Sequence, residues 1–459
     1  MNAAVIIAYF LCMILVGALS LRRSGSLGGF LVANRKGSSF AITGSLMATI
    51  LGGSSTMGMA GLGYGRGLVG AWWLLSGVIG MALLAFWLSR RIRSLELYTL
   101  PGILEAQYGS RALRLIASII ISTAWLGIIA GQTVACGKVL SVLWEGNPSL
   151  FMLISGVVFI LYTTLGGQHS VIKTDVIQFL IIVAGVLVCL IGGISFAGGV
   201  QGILADAPAG HWSFPVSPSF GATALLGFLF FVGLPYLVGP DIYTRLFSAR
   251  TPAVARRSAV CSAFLMLPLA FAITVIGIIA RILLPGINPE QALPSLAMRI
   301  LPAGLNALVI AALLAAVMST AATCLLTTST ILTMDVIAPL VRGKADERVL
   351  LLVSRIMVGL VGGAGILIAL ASGGIIDSLL TAYTVYSSGI AVPLVLGFYA
   401  QRLRLNGAGA IAASLGGGLL GLVLKLMGAG SLVIMSLPFS AFLLFAGSAA
   451  WRIIQKRRA

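Results

Sequence analysis

Leu51-Gly52-Gly53-Ser54-Ser55-Thr56 interrupts a helix-length apolar segment near its middle. Roughly 180 residues later a second such segment carries Gly233-Leu234-Pro235-Tyr236 and then Gly239-Pro240. Glycine and proline break helices, one through conformational freedom and the other through its missing N–H. Hydrocarbon offers no water to the backbone groups such a break frees. Broken backbone therefore persists at membrane depth only where it faces protein, water or a ligand. Two breaks in corresponding places of two halves are the sequence pointer to a transporter's binding site.

The composition agrees with a membrane setting. The 459 residues are 59% hydrophobic and 9% charged, and mean hydropathy is +1.10. A soluble domain carries about 25% charged residues. Apolar runs of about 20 residues recur from end to end, which predicts an all-α polytopic membrane protein. We count about 13 transmembrane helices, near 3–21, 40–64, 69–89, 113–137, 149–166, 172–198, 222–247, 256–284, 303–334, 349–372, 374–400, 407–426 and 430–451. The polar connections are too short to hold a soluble domain, so 1–459 is read as a single transporter domain.

Charge predicts the orientation. With the N-terminus outside, 24 of the 29 Lys and Arg residues fall in inside loops and 5 outside. Arg245, Arg342 and Lys344 count among the inside charges. That bias predicts N-out and C-in. It also makes the net charge of +18 a topology signal, with no nucleic-acid partner expected. The first span lacks a basic leader region and is followed by Arg22-Arg23, which predicts an anchored helix rather than a cleaved signal. The five cysteines show no metal-ligand spacing and read as packing residues.

Setting aside the first helix with its linker (1–39) and the two C-terminal helices (403–459) leaves two sets of five, 40–200 and 222–402. Five is odd, so the second set enters the membrane from the opposite side. The first helix of each set holds a break. This is similar to the LeuT-like five-plus-five inverted repeat, whose site lies at the midplane between repeats. The competing reading is that Gly and Pro are simply frequent in membrane helices.

The ninth span contains Ala316-Val317-Met318-Ser319-Thr320-Ala321-Ala322-Thr323, and Thr320, Thr323 and Thr327 share one helical face. Hydroxyls and freed carbonyls are hard ligands suited to an alkali cation. A cation between the second and ninth spans would use the hydroxyls of Ser319 and Thr320 with the carbonyls of Ala48, Leu51 and Ala316. Alternatively these hydroxyls bond back to their own helix and only pack.

Asp175 enters the sixth span. It reads as a cation ligand, as a cytoplasmic gate, or as a helix-start acid paired with Lys173. Asp241 reads as a cap for the helix resuming after the second break, or as a partner for Arg245 four residues on. Asp335 and Asp377 read as interfacial or helix-end acids. Ser54, Ser55, Thr56, Gln132, Pro235, Tyr236 and Tyr383 are candidates for a substrate wall. Phe228, Phe230, Phe231, Tyr243, Tyr386, Trp72 and Trp73 are weighed between pocket and packing. No nucleophile–base pair, phosphate loop or metal cluster stands out, so the chain is read as no enzyme. An ion gradient must then power any active transport, at about 2.3 kcal/mol per charge per 100 mV.

At these residues the chain resembles the sodium:solute symporter family over nearly its whole length. Gly166 to Gln178 is similar to the family's G-G-x-x-x-V-x-x-T-D-x-x-Q run, and Ala311 to Asp335 is nearly as specific. Tyr98-Thr99-Leu100-Pro101 with Glu105, Tyr108 and Gly109, and Asp241 to Arg245, add support. The resemblance implies Na+ as coupling ion, held by Ala48, Leu51, Ala316, Ser319 and Thr320, with no organic cofactor. Some relatives hold another sodium between the aspartate matching Asp175 and hydroxyls matching Ser319, Ala322 and Thr323. Ala322 lacks that hydroxyl, which implies 1:1 coupling.

The expectation is sodium-coupled symport of a small organic solute, an amino acid-like zwitterion or carboxylate, by alternating access. The helix-break N–H groups suit such an anion. Partners are the solute, sodium and the lipid bilayer, with no obligate protein partner; the expected location is a bacterial or archaeal cytoplasmic membrane. Two alternatives stay open. One is a transporter-like sensor or uncoupled channel, although a sensor would be expected to carry a signalling domain. The other is proton coupling through Asp175.

Overall fold

The computed structural model describes residues 2–144, 146–341, 346–371 and 375–458. Arg342 and Lys344 of the charge count, and the side chain of Asp377, lie outside the described residues. The described chain is helical, with two isolated β-bridges, Gly37 to Ala249 and Ser217 to Phe220. Eleven helical runs among the described residues are long and apolar enough to cross a membrane. The longest, Pro148–Phe196, has 49 residues. At 1.5 Å per residue it would reach about 74 Å, more than twice the roughly 30 Å of hydrocarbon. It bends at Gly167, whose φ of 50° and ψ of −144° suit glycine. A Cβ there would lie 2.6 Å from the Phe30 carbonyl oxygen. The run Ser54–Ser94 likewise divides near Gly67, at φ 77°. Counting both divisions, and each broken helix once, is compatible with thirteen crossings.

The helices used below are α1 (Asn2–Ser20), α2 (Ser39–Ile50), α3 (54–66), α4 (72–94), α5 (Arg111–Ser141), α6 (148–166) and α7 (168–196). They continue as α8 (222–238), α9 (Pro240–Ser248), α10 (Pro252–Leu283), α11 (305–340), α12 (Glu347–Ala371), α13 (375–397), α14 (Gly407–Leu426) and α15 (Ser436–Arg458). α11 forms the axis of the bundle. Its most apolar window is 94% buried, against 28% for α1 at the periphery. That burial explains why α11 lacks an amphipathic pattern: it has no solvent face.

Glycine decides how the outer half of the first broken helix packs. A Cβ on Gly277 of α10 would meet the Ala60 carbonyl oxygen at 2.0 Å, and one on Gly63 would meet that of Thr274 at 2.3 Å. The α3 and α10 backbones therefore touch directly, as small residues permit between membrane helices.

The first break falls where the sequence predicts it: α2 ends at Ile50 and the helix restarts at Gly53–Ser54. Of the second expected break, only the later part, Gly239-Pro240, interrupts the helix. Through Gly233-Leu234-Pro235-Tyr236 the chain stays helical, because residues Leu229–Gly233 form a π-helical turn just before Pro235. A wider turn makes room for a proline that lacks an N–H and crowds the preceding turn. The break lies at Gly239, where φ −62° and ψ 126° are extended and Pro240 opens α9.

Candidate functional site

The sites grow out of the two breaks. Ser319 on α11 donates to the Ala48 carbonyl (2.8 Å) and back to that of Ala316 (2.9 Å). Thr320 donates to the Thr49 carbonyl (2.8 Å) and back to Ala316 (3.2 Å). Each hydroxyl bonds its own helix, as the packing reading has it, and also reaches the broken one. Ala48, Ala316, Ser319 and Thr320 are thus in direct hydrogen-bond contact. Leu51 lies at the end of α2, its N–H on the Met47 carbonyl (2.9 Å). The Thr49 carbonyl is an oxygen the sequence reading missed. The set is neutral, buried and oxygen-rich, which fits a monovalent hard cation. The far side of the break is held from α5: Gly53 N–H donates to Oε1 of Gln132 (3.0 Å).

A small central cavity of about 30 Å³ adjoins this nest. Of the expected substrate wall, Ser54, Gln132, Pro235, Tyr236 and Tyr383 line it. Ser55 and Thr56 are buried beside it without lining it; Thr56 Oγ1 caps the Gly52 carbonyl at 2.8 Å instead. The sequence reading missed Trp125, Cys324 and Asp241, which also line the cavity. Several weighed aromatic residues are packing. Trp72 stacks on Phe214 with centroids 5.4 Å apart, and Trp73 meets Phe228 edge-on at 5.8 Å. Tyr243 and Tyr386 donate to the carbonyls of Leu237 (3.1 Å) and Val238, freed by the second break.

Three acids find partners or places that spacing alone left open. Asp175 pairs with Arg245 (2.9 Å), not with Lys173, whose ammonium turns to Ser20 Oγ (3.3 Å). Arg245, counted among inside-loop charges, is wholly buried. Its Nε donates to Ser45 (3.0 Å), Nη1 to Thr244 (3.2 Å), and Nη2 also reaches Thr323. This guanidinium joins α2, α7, α9 and α11. It also stands between Asp175 and Thr323, two of the positions where the family resemblance implied a second cation. Asp241 does sit in the first turn of α9, as predicted, but it is not the ion-pair partner of Arg245. Asp335, near the end of α11, is buried and held by Arg114 (2.6 Å) and Thr99 (2.9 Å). Thr99 also caps the helix Leu100–Tyr108, which Gly109 ends at φ 65°.

Residues 30–417 match the model of the Sodium:solute symporter family. Sodium/glucose cotransporter 2 of Rattus norvegicus is 26% identical over 475 residues, covering 91% of this chain and 70% of that protein. The Sodium/glucose cotransporter of Vibrio parahaemolyticus is 27% identical, covering 80% and 74%. Sodium/myo-inositol cotransporter 2 of Sus scrofa is 27% identical, covering 92% and 69%. Among solved structures, a Na+-coupled sialic acid symporter in a substrate-bound outward-open state superimposes with a TM-score of 0.84 at 20% identity, covering 98% of both chains. MhsT in complex with L-phenylalanine gives 0.61 at 15% identity, covering 88% of this chain and 99% of that one.

Proposed function

This chain belongs to the sodium:solute symporter family, whose members are transporters, and from that premise we propose that its first helix break is a sodium site and its central cavity the solute site. The coarse function is sodium-coupled symport across a membrane, on a LeuT-type fold. The finer reading is as follows. Residues 40–200 and 222–402 are inverted repeats, with the N-terminus outside and the C-terminus inside, in a bacterial or archaeal cytoplasmic membrane. Sodium binds through Ala48, Leu51, Ala316, Ser319 and Thr320. The solute is an amino acid-like zwitterion or carboxylate, bound among Ser54, Gln132, Pro235, Tyr236 and Tyr383.

One observation carries this reading. Two adjacent hydroxyls of α11 are aimed at two consecutive carbonyls, Ala48 and Thr49, at the end of a broken helix. A cation sharing those oxygens ties α11 to α2, and the restarted α3 begins beside the cavity. Binding sodium then orders the wall that meets the solute, which is positive coupling by pre-organisation. Asp175 reads better as part of a buried clamp or gate than as a second sodium ligand, because an ion there would have to displace Arg245. One sodium per cycle follows, and the same pairing weakens the proton-coupled alternative.

The test is thermal unfolding in detergent, with NaCl exchanged for KCl at constant ionic strength. Sodium stabilises the native state in proportion to its binding. Ser319→Ala is expected to raise the half-saturating sodium concentration about tenfold or more. An unchanged sodium midpoint in both Ser319→Ala and Thr320→Ala would defeat the assignment.

A further inference from the structure

We propose that Asp241 is the specificity-determining residue of the central cavity and that it recognises a protonated amine on the solute. The inference rests on reading that cavity as the solute site. Of the fourteen residues that line the cavity, Asp241 alone carries a charged side chain. The cation nearest in sequence, Arg245, is fully engaged: its three nitrogens serve Asp175, Ser45, Thr244 and Thr323. Among the described residues, no Lys or Arg nitrogen lies within the 4.0 Å of an ion pair to Asp241. Arg245 spends its ion pair on Asp175 and acts on Asp241 only at longer range, so Asp241 faces the cavity without an ion-pair partner.

A carboxylate held at membrane depth without an ion-pair partner is costly. Its place in the first turn of α9 recovers about 0.3–2 kcal/mol from the helix dipole. The rest calls for a cationic ligand. The other walls say which kind. Trp125, Tyr236 and Tyr383 present aromatic rings to the same space. Rings attract an ammonium through their negative faces, whereas an alkali ion wants several close oxygens. A neutral polyol could donate hydroxyl hydrogen bonds to the Asp241 carboxylate but would leave its charge standing. A bare carboxylate solute would be repelled, so the zwitterion is the member of the proposed pair that fits. Its ammonium lies on Asp241 and its carboxylate toward the restarted helix, whose N–H groups favour an anion.

The experiment uses the purified full chain in sodium buffer with two probe pools, the twenty common L-amino acids and a set of neutral hexoses and inositols. Melting temperature is read for the wild type, Asp241→Asn and Asp241→Glu. The amino acid pool is expected to stabilise the wild type and the polyol pool to leave it unchanged. Asp241→Asn should weaken the half-saturating concentration of the active amino acid at least about tenfold, in line with removing one partner of a buried charge pair. Asp241→Glu should recover part of that loss, and all three proteins should keep their response to sodium alone. Stabilisation by the polyol pool, by neither pool, or equally in Asp241→Asn would each overturn the inference. If the amino acid pool works without sodium, the coupling assignment fails while the amine assignment stands.

Discussion

The two helix breaks solve the same problem with different chemistry. At the first, the carbonyls of Ala48 and Thr49 meet the short side chains of Ser319 and Thr320. At the second, the carbonyls of Leu237 and Val238 meet the phenols of Tyr243 and Tyr386. The serine and threonine also touch a third carbonyl, Ala316, so several oxygens gather in one place. Each tyrosine reaches a single carbonyl from the end of a rigid ring. A break alone therefore does not make an ion site. What caps the freed carbonyls decides whether they form a nest that an ion can share or a satisfied turn. The second break instead sets Asp241 at the cavity wall and, one turn on, sends Arg245 back to the first.

That link gives the largest expected effect. Arg245→Met leaves Asp175 buried and unpaired, and should cost about 3–5 kcal/mol, read as a large drop in melting temperature. Adding Asp175→Asn should restore most of it. If the single variant melts like the wild type, the two breaks are not coupled through this guanidinium. Next comes Gly52→Ala, whose Cβ would lie 2.5 Å from Thr320 Oγ1. It should raise the sodium midpoint sharply. Gly239→Ala, with its Cβ 2.5 Å from the Pro235 carbonyl, should destabilise but leave that midpoint alone. A smaller loss, about 1–3 kcal/mol, is expected for Gln132→Leu, which strands the buried Gly53 N–H. Smallest are Tyr243→Phe and Tyr386→Phe, about 0.5–1.5 kcal/mol each in chemical denaturation, with sodium response intact. A shifted sodium midpoint in either tyrosine variant would erase the contrast between the breaks.

The helices and the first break were legible because hydropathy and glycine act locally. The Ser319-Thr320 pair stood out because hydroxyls are hard oxygen ligands, and Thr320 shares a helical face with Thr323 and Thr327. What escaped was anything set by a distant partner. Pro235 looked like a break, but the π-turn before it absorbs the strain. Arg245 counted as a loop charge, since no local pattern shows that Asp175, seventy residues earlier, meets it inside the bundle. Asp241 pointed to Arg245 by spacing, and only the competing pair frees it for the cavity. Trp125 was one aromatic residue among many until α5 set it against the cavity.

The glycine contact between α3 and α10 carries a practical corollary. Because Gly63 and Gly277 leave no gap between those backbones, α10 must track any swing of α3 about the break. α10 also presents Phe264, 73% exposed on the outer face. A fluorophore or spin label attached there would ride on the moving half-helix while staying clear of the cavity. Distances from it to a label on α12, such as at Leu367, would turn the transport cycle into a ruler readable one molecule at a time.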